Sequence, residues 1–408
     1  MFRLSATAKA ILAGLLVTLL QLGVAMLLLA PEGSLQYRYQ TLVQHDSYWF
    51  ANIVNRGYQT IVPPISYKMM EVSNTAFFPA YPGCAAILRY GLGLETENAL
   101  LITAQSAAWG FWTYFFLFCQ RWDVPVSWSV LGVLSVVAHP AAFFLVAAYS
   151  ESLFLMALLG FLYWSAAETR FSKLLAIIHG AVMSASRIVG LPAALAPLVK
   201  RMWEVGWRGV THLRDWFRTF GVAALVSLGA MFGGLAFFLY CQLRFGTWDI
   251  YMLTQQYGWA IEPDYLAVFR PSSYRWLIPS LANPTEASQM ATTLGGVMLL
   301  LTGAAELIRK PRQGTNRTVR IPFYFAAAVL FFISVSGVAC VAMESMLRYE
   351  FCVHALIVLA LLNYLHNVPL RSRLARASAV SAIALISVAG LGLESWYLWN
   401  FTRSNWVA

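Results

Sequence analysis

The sequence predicts an all-α integral membrane protein made of one polytopic domain, 1–408, and three observations support this fold class. Of the 408 residues, 59% are hydrophobic and only 11% are charged, whereas a soluble domain carries about 25% charged residues. Uncharged stretches that could cross a hydrocarbon layer of about 30 Å, which takes roughly 20 helical residues, recur along the chain. These stretches are continuous, and barrel strands would instead alternate between apolar and polar residues.

Nine apolar stretches are predicted to span the membrane. They lie near 10–30, 99–118, 126–148, 152–167, 219–243, 287–308, 321–342, 351–366 and 377–393. The first follows Arg3 and Lys9 and is longer than a typical signal-peptide core, so we interpret it as a retained anchor. The five cysteines show neither metal-ligand spacing nor a disulfide framework, which favours packing roles for them.

A further apolar stretch, 174–199, breaks the simple alternation because basic residues flank both of its ends. A single span would place one of these basic groups outside, against the tendency of Lys and Arg to stay on the cytoplasmic side. Two short half-helices that turn at 184–187 would return the chain to the inside, and such broken helices occur where protein or a wet cavity surrounds the break. The prediction is therefore about 11 membrane segments, including a short broken hairpin near 174–199.

The orientation follows from the basic clusters, Arg309, Lys310, Arg312, Arg317 and Arg320, then Arg371, Arg373 and Arg376. If these clusters are cytoplasmic, two large loops, 31–98 and 244–286, lie on the other side. Both are rich in aromatic residues, Pro and Arg, so we expect folded caps on the membrane surface. The formal net charge of +10 is explained by the cytoplasmic loops, and no nucleic-acid partner is expected.

Polar clusters on the predicted outside face are the candidates for chemistry, because charged groups at membrane depth usually face a cavity or a partner. The four clusters are 45–50, 149–152, 186–187 and 344–350. Asp46 could act as a general base on an acceptor hydroxyl. It could equally be a capping residue that opens a helix, since Asp is a favoured N-cap.

Arg187 and Arg348 could hold a phosphate through charge-assisted hydrogen bonds. They could instead extend to the interface or pair with Glu151 or Glu344. Glu151 could be a second acid or an ion-pair partner, and Asp46 with Glu151 could supply oxygen ligands to a divalent metal. No phosphate-binding loop, zinc spacing or Ser-His-Asp arrangement is present, which argues against nucleotide hydrolysis.

Taken together, the motifs resemble those of the PIG-V-like mannosyltransferases in the GT-C superfamily of membrane glycosyltransferases. The matching segments are 45–50 with 57–58, 77–82, 149–154, 186–190, 245–246 with Gln255 and Trp259, and 345–349. They occur in the family's order across residues 45–350. His45 stands where the family usually has Trp. The compact chain with basic cytoplasmic loops is similar to bacterial members, which would place it in the inner membrane.

The resemblance implies a GT-C-type helical bundle that transfers a sugar, mannose favoured, with inversion. The donor would be a polyprenyl-phosphate-linked sugar, and the acceptor a hydroxyl of a lipid or glycan on the non-cytoplasmic face. Asp46 would be the catalytic base, and no cofactor is implied beyond the candidate divalent metal. The substrate-binding residues would be His45, Ser47, Tyr149, Glu151, Arg187, Arg348 and Tyr349.

Two other functions are compatible with the same sequence. A secondary transporter would also have many spans and broken helices, but it should show an internal repeat and ionisable groups near mid-membrane. Neither feature is evident in the chain. A non-catalytic membrane scaffold for a glycosylation pathway is the second alternative.

Overall fold

The computed structural model describes residues 5–60, 73–206, 213–280, 283–308, 319–367 and 373–407. These residues form α-helices joined by turns and irregular segments, with no strand among them. The helices are α1 Ala6–Gly23, α2 Leu35–Gln40, α3 Asp46–Arg56, α4 Ala80–Leu92, α5 Thr96–Arg121, α6 Val126–Val137, α7 Glu151–Ser165, α8 Arg170–Ser186, α9 Gly190–Ala193, α10 Ala196–Val205, α11 Leu213–Phe245, α12 Ile250–Trp259, α13 Pro284–Ile308, α14 Ile321–Val338, α15 Met346–Asn367 and α16 Arg373–Phe401.

Several of the described helices are long and apolar enough to cross a bilayer, which makes the chain a multi-pass membrane protein. They are Ala6–Leu29, Asp215–Phe245, Ile321–Val341, Met346–Asn367 and Val380–Phe401. Two shorter apolar helices, α6 and α7, accompany them. Their outer surfaces carry large apolar side chains, such as Leu228 at 63% and Leu385 at 72% exposure, as expected for contact with lipid.

The predicted span 126–148 is wrong in its second half. Helix α6 ends at Val137, just before His139 and Pro140. A proline disfavours the helical conformation of the residue before it, so a helix tends to end there. The chain then runs through turns, including the 3₁₀ turn Ala142–Leu145, to the start of α7. This irregular segment is buried and forms part of the site described below.

The predicted break near 184–187 lies at Arg187, after α8 has ended at Ser186. Arg187 is extended, with φ −156° and ψ 146°, and α9 and α10 follow. Gly190 lies against the end of α8, where an added Cβ would be 2.6 Å from the Met183 carbonyl oxygen. The positive charges of Lys173 in α8 and Lys200 in α10 interact, so both arms run back towards the same end of the bundle.

Small residues hold α8 tightly against α11 and so fix the position of the break. A Cβ added at Gly180 would lie 2.2 Å from the Cβ of Ala230. A Cβ at Gly233 would lie 2.0 Å from the Ala181 carbonyl oxygen. Glycine allows this close backbone approach between membrane helices, and α8 is thereby a firm support for Arg187.

The bundle has two chemically different ends. We call the end that carries Asp46 the site end; the contact of Arg403 in the C-terminal segment with the Leu29 carbonyl oxygen belongs to it. At the opposite end, Gln120 contacts the Ala6 carbonyl oxygen. The basic clusters predicted at 309–317 and 371–376 fall outside the residues or side chains that the structure describes, as do residues 61–72 of the first predicted loop and 281–282 of the second.

Candidate active site

The site begins at the first turn of α3, where the helix starts at Asp46. His45 precedes it with φ 50° and ψ −111°, a conformation that is uncommon for a residue with a side chain. The His45 ring contacts Phe401 and Trp406, and its Nε2 lies 3.3 Å from the Asn405 carbonyl oxygen. The C-terminal segment therefore supports the strained start of α3.

Ser47 and Tyr149 join α3 to the buried turn that precedes α7. The Ser47 hydroxyl donates to the Ala148 carbonyl oxygen at 3.0 Å. The Tyr149 hydroxyl accepts a hydrogen bond from the Asp46 backbone N–H at 3.3 Å. Ser47 is fully buried, so it anchors the helix here; its role in substrate binding stays a prediction.

Four charged side chains from four separate segments meet at the site end, and we call Asp46, Glu151, Arg187 and Arg348 the four-charge cluster. Arg348 Nη1 is 2.5 Å from Asp46 Oδ2, and its Nε is 3.2 Å from Glu151 Oε1. Arg187 Nη1 donates to the same Glu151 oxygen at 2.7 Å. Positive and negative groups thus alternate, and the cluster is formally neutral.

The four-charge cluster is incompletely hydrogen-bonded. Arg348 Nε and Glu151 Oε2 are buried and have no hydrogen-bond partner, because the Nε contact with Glu151 has the distance but not the direction of a hydrogen bond. A buried polar atom without a partner costs about 1–3 kcal/mol. Asp46 and Arg187 keep 19% and 17% of their side-chain surface exposed. The cluster therefore offers both unsatisfied atoms and access to a ligand.

Aromatic rings surround the two guanidinium groups. The Arg348 guanidinium carbon lies 5.3 Å from the Tyr149 ring centre and 5.1 Å from that of Tyr349. The corresponding distance from Arg187 to the Tyr349 ring is 4.8 Å, and the Tyr349 hydroxyl accepts from Arg348 Nη2 at 3.3 Å. Ring faces attract cations within about 6 Å, so these tyrosines help to stabilise the two guanidinium groups where they have little contact with water.

Helix α12 contributes neighbours that the sequence did not single out as site residues. Burial raises the pKa of Tyr251, Tyr349 raises it further, and the positive charge of Arg187 opposes them, so Tyr251 is an electrostatic neighbour of the cluster. Beside Asp46, Trp49 stacks on Phe77 and meets Trp259 edge-on. The i, i+3 spacing of Asp46 and Trp49 could have indicated their shared helix face, but only the fold brings α12 to them.

Glu350, which lies on the same helix as Arg348, forms a second buried pair with His139. His139 Nδ1 accepts the Ala141 N–H at 3.1 Å, so its proton is on Nε2, which is 2.6 Å from Glu350 Oε2. Glu350 Oε1 is buried without a hydrogen-bond partner. No sequence signal linked His139 to Glu350, which is 211 positions away along the chain.

The predicted metal ligands do not form a convincing metal site. The carboxylates of Asp46 and Glu151 both face guanidinium groups, whose positive charge opposes a divalent cation. Within the described ranges, no group of three or more His, Cys, Asp or Glu side chains is placed to hold a metal ion.

No protein-family model matches the chain, and no curated protein matches it. Among solved structures, it is similar to ArnT from Cupriavidus metallidurans bound to undecaprenyl phosphate, with 13% identity and a TM-score of 0.51 over 98% of this chain and 77% of that one. This likeness concerns the fold alone, which the chain shares with ArnT.

Two structures from Archaeoglobus fulgidus match with TM-scores below 0.5. One is the oligosaccharyltransferase AglB in complex with an inhibitory peptide and a dolichol-phosphate, with 14% identity over 97% of this chain and a TM-score of 0.48. The other is an oligosaccharyltransferase tethered by a disulfide to an acceptor peptide with the NVT sequon, with 13% identity, 98% coverage of this chain, 55% of that one and a TM-score of 0.46. The chain spans 56% of the length of AglB.

Proposed function

We propose that this protein is an inverting glycosyltransferase that takes a sugar, mannose favoured, from a polyprenyl-phosphate donor and transfers it to a hydroxyl acceptor. The observation that carries this proposal is the four-charge cluster, in which contacts of 2.5–3.2 Å link two carboxylates and two guanidinium groups from distant segments in the order Asp46, Arg348, Glu151, Arg187. The PIG-V-like motifs contribute all four of its members.

The two arginines suit a phosphate that leaves with its lipid. Guanidinium groups bind phosphate through paired, charge-assisted hydrogen bonds. They stabilise best the charge that develops as the glycosidic bond breaks. ArnT, which shares the fold, was crystallised with undecaprenyl phosphate. A lipid-linked donor can reach such a site from the bilayer, so the protein needs no domain for a nucleotide sugar.

Asp46 is suited to activate the acceptor. Its carboxylate would take the proton of the acceptor hydroxyl while the oxygen attacks the anomeric carbon. A new carbon–oxygen bond forms, the bond to the phosphate oxygen breaks, and its electron pair leaves with the polyprenyl phosphate. Attack from the face opposite the phosphate inverts the anomeric carbon.

The contact of Arg348 with Asp46 has a consequence for this reaction. Arg348 Nη1 lies 2.5 Å from Asp46 Oδ2, so an ion pair occupies one oxygen of the proposed base. A donor phosphate would compete with Asp46 for Arg348. Binding of the donor would thus release the base at the moment when an acceptor can be used.

We further propose that the site end is non-cytoplasmic, in a bacterial inner membrane, and that about 11 segments cross or enter the bilayer. The support is the asymmetry of charge. The opposite end contains Lys173, Lys200 and Arg201. Lys and Arg favour the cytoplasmic side.

The test is transfer by purified protein in nanodiscs, supplied with polyprenyl-phosphate mannose, or with the glucose analogue, and a mixture of glycan and lipid acceptors. We expect transfer by the wild type and by Glu97→Gln, which changes an exposed acid in α5, and transfer lowered about 10²–10⁴-fold by Asp46→Asn. Undiminished transfer by Asp46→Asn would remove the proposed base. A wild type that transfers neither sugar would favour the transporter or scaffold hypothesis.

A further inference from the structure

An irregular segment between α12 and α13 exposes an unusual amount of apolar surface. We call residues 264–280 the strap; it contains only the 3₁₀ turns Ala267–Phe269 and Pro271–Ser273. Its exposed large side chains are Tyr265 63%, Leu266 64%, Phe269 78%, Trp276 71%, Leu277 74% and Ile278 90%. A soluble surface rarely presents such a contiguous apolar patch unless it contacts a partner or a membrane.

The strap packs against the sides of two long helices, below their ends. Its Tyr265 ring stacks on Phe332 with the centroids 6.3 Å apart, and the Asp264 N–H donates to the Ser336 carbonyl oxygen at 2.8 Å. Phe332 belongs to α14, one of the candidate membrane spans. At 1.5 Å per residue it lies about 9 Å below Val338, the end of that helix.

The contacts with α13 reach the same level of the bundle, because a Cβ on Gly296 would lie 3.2 Å from the ring of Phe331, the neighbour of Phe332 in α14. A Cβ added to Gly296 would lie 3.6 Å from the Tyr274 ring. Gly296 is about 18 Å along the helix from its first residue, Pro284, at 1.5 Å per residue. The strap is therefore wedged beside α13 and α14, and it does not lie above them.

Side chains of α13 form hydrogen bonds with several polar groups of the strap. Thr293 accepts the Arg275 N–H at 2.9 Å and donates to the Arg275 carbonyl oxygen at 2.8 Å. Gln289 donates to the Ser272 carbonyl oxygen at 3.1 Å, whereas Arg275 Nε is buried without a hydrogen-bond partner. In hydrocarbon, irregular backbone is tolerated only where other groups supply its hydrogen bonds, and α13 supplies several of them here.

The charges of the strap are paired in the same way. Arg270 forms an ion pair with Asp264, and Arg275 Nη2 lies 2.8 Å from Glu286 Oε2. Charged groups at membrane depth usually pair with one another or face a cavity. The strap thus combines neutralised charges with outward apolar side chains.

We propose that the strap lies inside the membrane leaflet on the site side, with its six exposed apolar side chains among the lipid acyl chains. It shares this lipid-facing surface with Phe332 of α14, which is 38% exposed. The proposal does not depend on the glycosyltransferase activity. It replaces the sequence-based expectation that all of 244–286 is a cap on the membrane surface.

The experiment measures depth with nitroxide labels on single cysteines in nanodiscs. The parent carries Cys340→Ser, because Cys340 is exposed in the native chain. Labels are placed at Phe269→Cys and Ile278→Cys. Leu228→Cys, in the middle of the span Asp215–Phe245, is the lipid control, and Glu97→Cys, an exposed acid of the site end, is the water control.

Collision with oxygen, which concentrates in lipid, is compared with collision with a water-soluble nickel chelate. We expect both strap labels to behave like position 228, with oxygen the stronger relaxant. Since both positions are mostly exposed, the labels should not disturb folding, and the same samples must remain monodisperse. Strap labels that the nickel chelate relaxes more than oxygen, as at position 97, would overturn the proposal.

Discussion

Two buried charge clusters, one at each end of the bundle, differ in how completely their groups are paired. At the opposite end, Arg320 donates to both oxygens of Glu306 at 3.0 and 2.6 Å and to the Asn363 side chain at 2.5 Å. Both charged residues are about 5–6% exposed. At the site end, Arg348 is shared by two carboxylates and keeps a buried nitrogen without a hydrogen-bond partner.

The difference separates a structural ion pair from a site prepared for a ligand. In the Arg320 cluster, which joins α13, the start of α14 and α15, each of the three guanidinium nitrogens donates a hydrogen bond. Among the described residues, the arginines of the four-charge cluster donate the same number of hydrogen bonds, but that cluster has twice as many charges, so it has fewer hydrogen bonds for each charge and is better able to exchange partners. The first three predictions below compare a change at one end with a change at the other.

The largest contrast is expected from removing a carboxylate at each end. Asp46→Asn should lower transfer by about 10²–10⁴-fold, since that is the usual contribution of a positioned general base. Glu306→Gln should leave transfer per folded molecule unchanged and instead lower the free energy of unfolding by about 3–5 kcal/mol, the cost of breaking a buried pair. Turnover and thermal unfolding of both variants in nanodiscs would check this. Equal loss of turnover per folded molecule in both variants would refute the distinction.

A smaller contrast should follow from replacing arginine by lysine. Arg348→Lys keeps the charge but loses the planar fork, so we expect transfer to fall about 10²–10³-fold, as for the loss of one stabilising donor in a transition state. Arg320→Lys should affect mainly the unfolding temperature. The two variants are compared by their kcat values, measured at a saturating concentration of the donor. A normal kcat for Arg348→Lys would show that its charge alone suffices.

The stabilisation that bound lipid phosphate gives should depend on an arginine of the site end and not on one of the opposite end, a difference of a few kcal/mol. Undecaprenyl phosphate at 100 times its Kd should stabilise the wild type by about 2.7 kcal/mol. Arg187→Gln should lose most of that shift, because Arg187 is the more accessible guanidinium of the cluster. Arg121→Gln, at the opposite end, should keep the shift. Thermal unfolding with and without the lipid measures both, and an unchanged shift in Arg187→Gln would exclude it from phosphate binding.

The smallest effect concerns pH and is confined to the site end. Burial lowers the pKa of His45; Arg348 adds to this, while Asp46 and the Asn405 carbonyl oppose it. Because the unfolded chain binds the proton more readily, this residue's contribution to stability is present above about pH 6.5 and is lost as the pH falls below it. His45→Gln should therefore unfold with a flatter pH dependence between about pH 6.5 and 5. Parallel curves for the variant and the wild type would contradict this.

Much of the architecture could be predicted from the chain, for reasons visible in particular residues. Long apolar stretches indicate membrane helices directly, because a single segment in lipid can form all of its backbone hydrogen bonds only as a helix. The basic residues on both sides of 174–199 indicated a break there, and the break lies at Arg187. The span 126–148 was drawn too long, because hydropathy does not show that a buried apolar turn after His139 has left the helix.

The sequence by itself determined the membrane helices, their order and the identity of the charged residues that face one end, since hydropathy and charge act locally along the chain. Only the tertiary structure decided which charges meet. The pairing of Asp46 with Arg348 spans 302 positions, and the contact of Glu151 with Arg187 requires α7 and α8 to pack side by side. Helix packing and the free-energy cost of an unpaired charge in a medium of low dielectric determine these contacts. Both depend on several segments together, so no single segment predicts them.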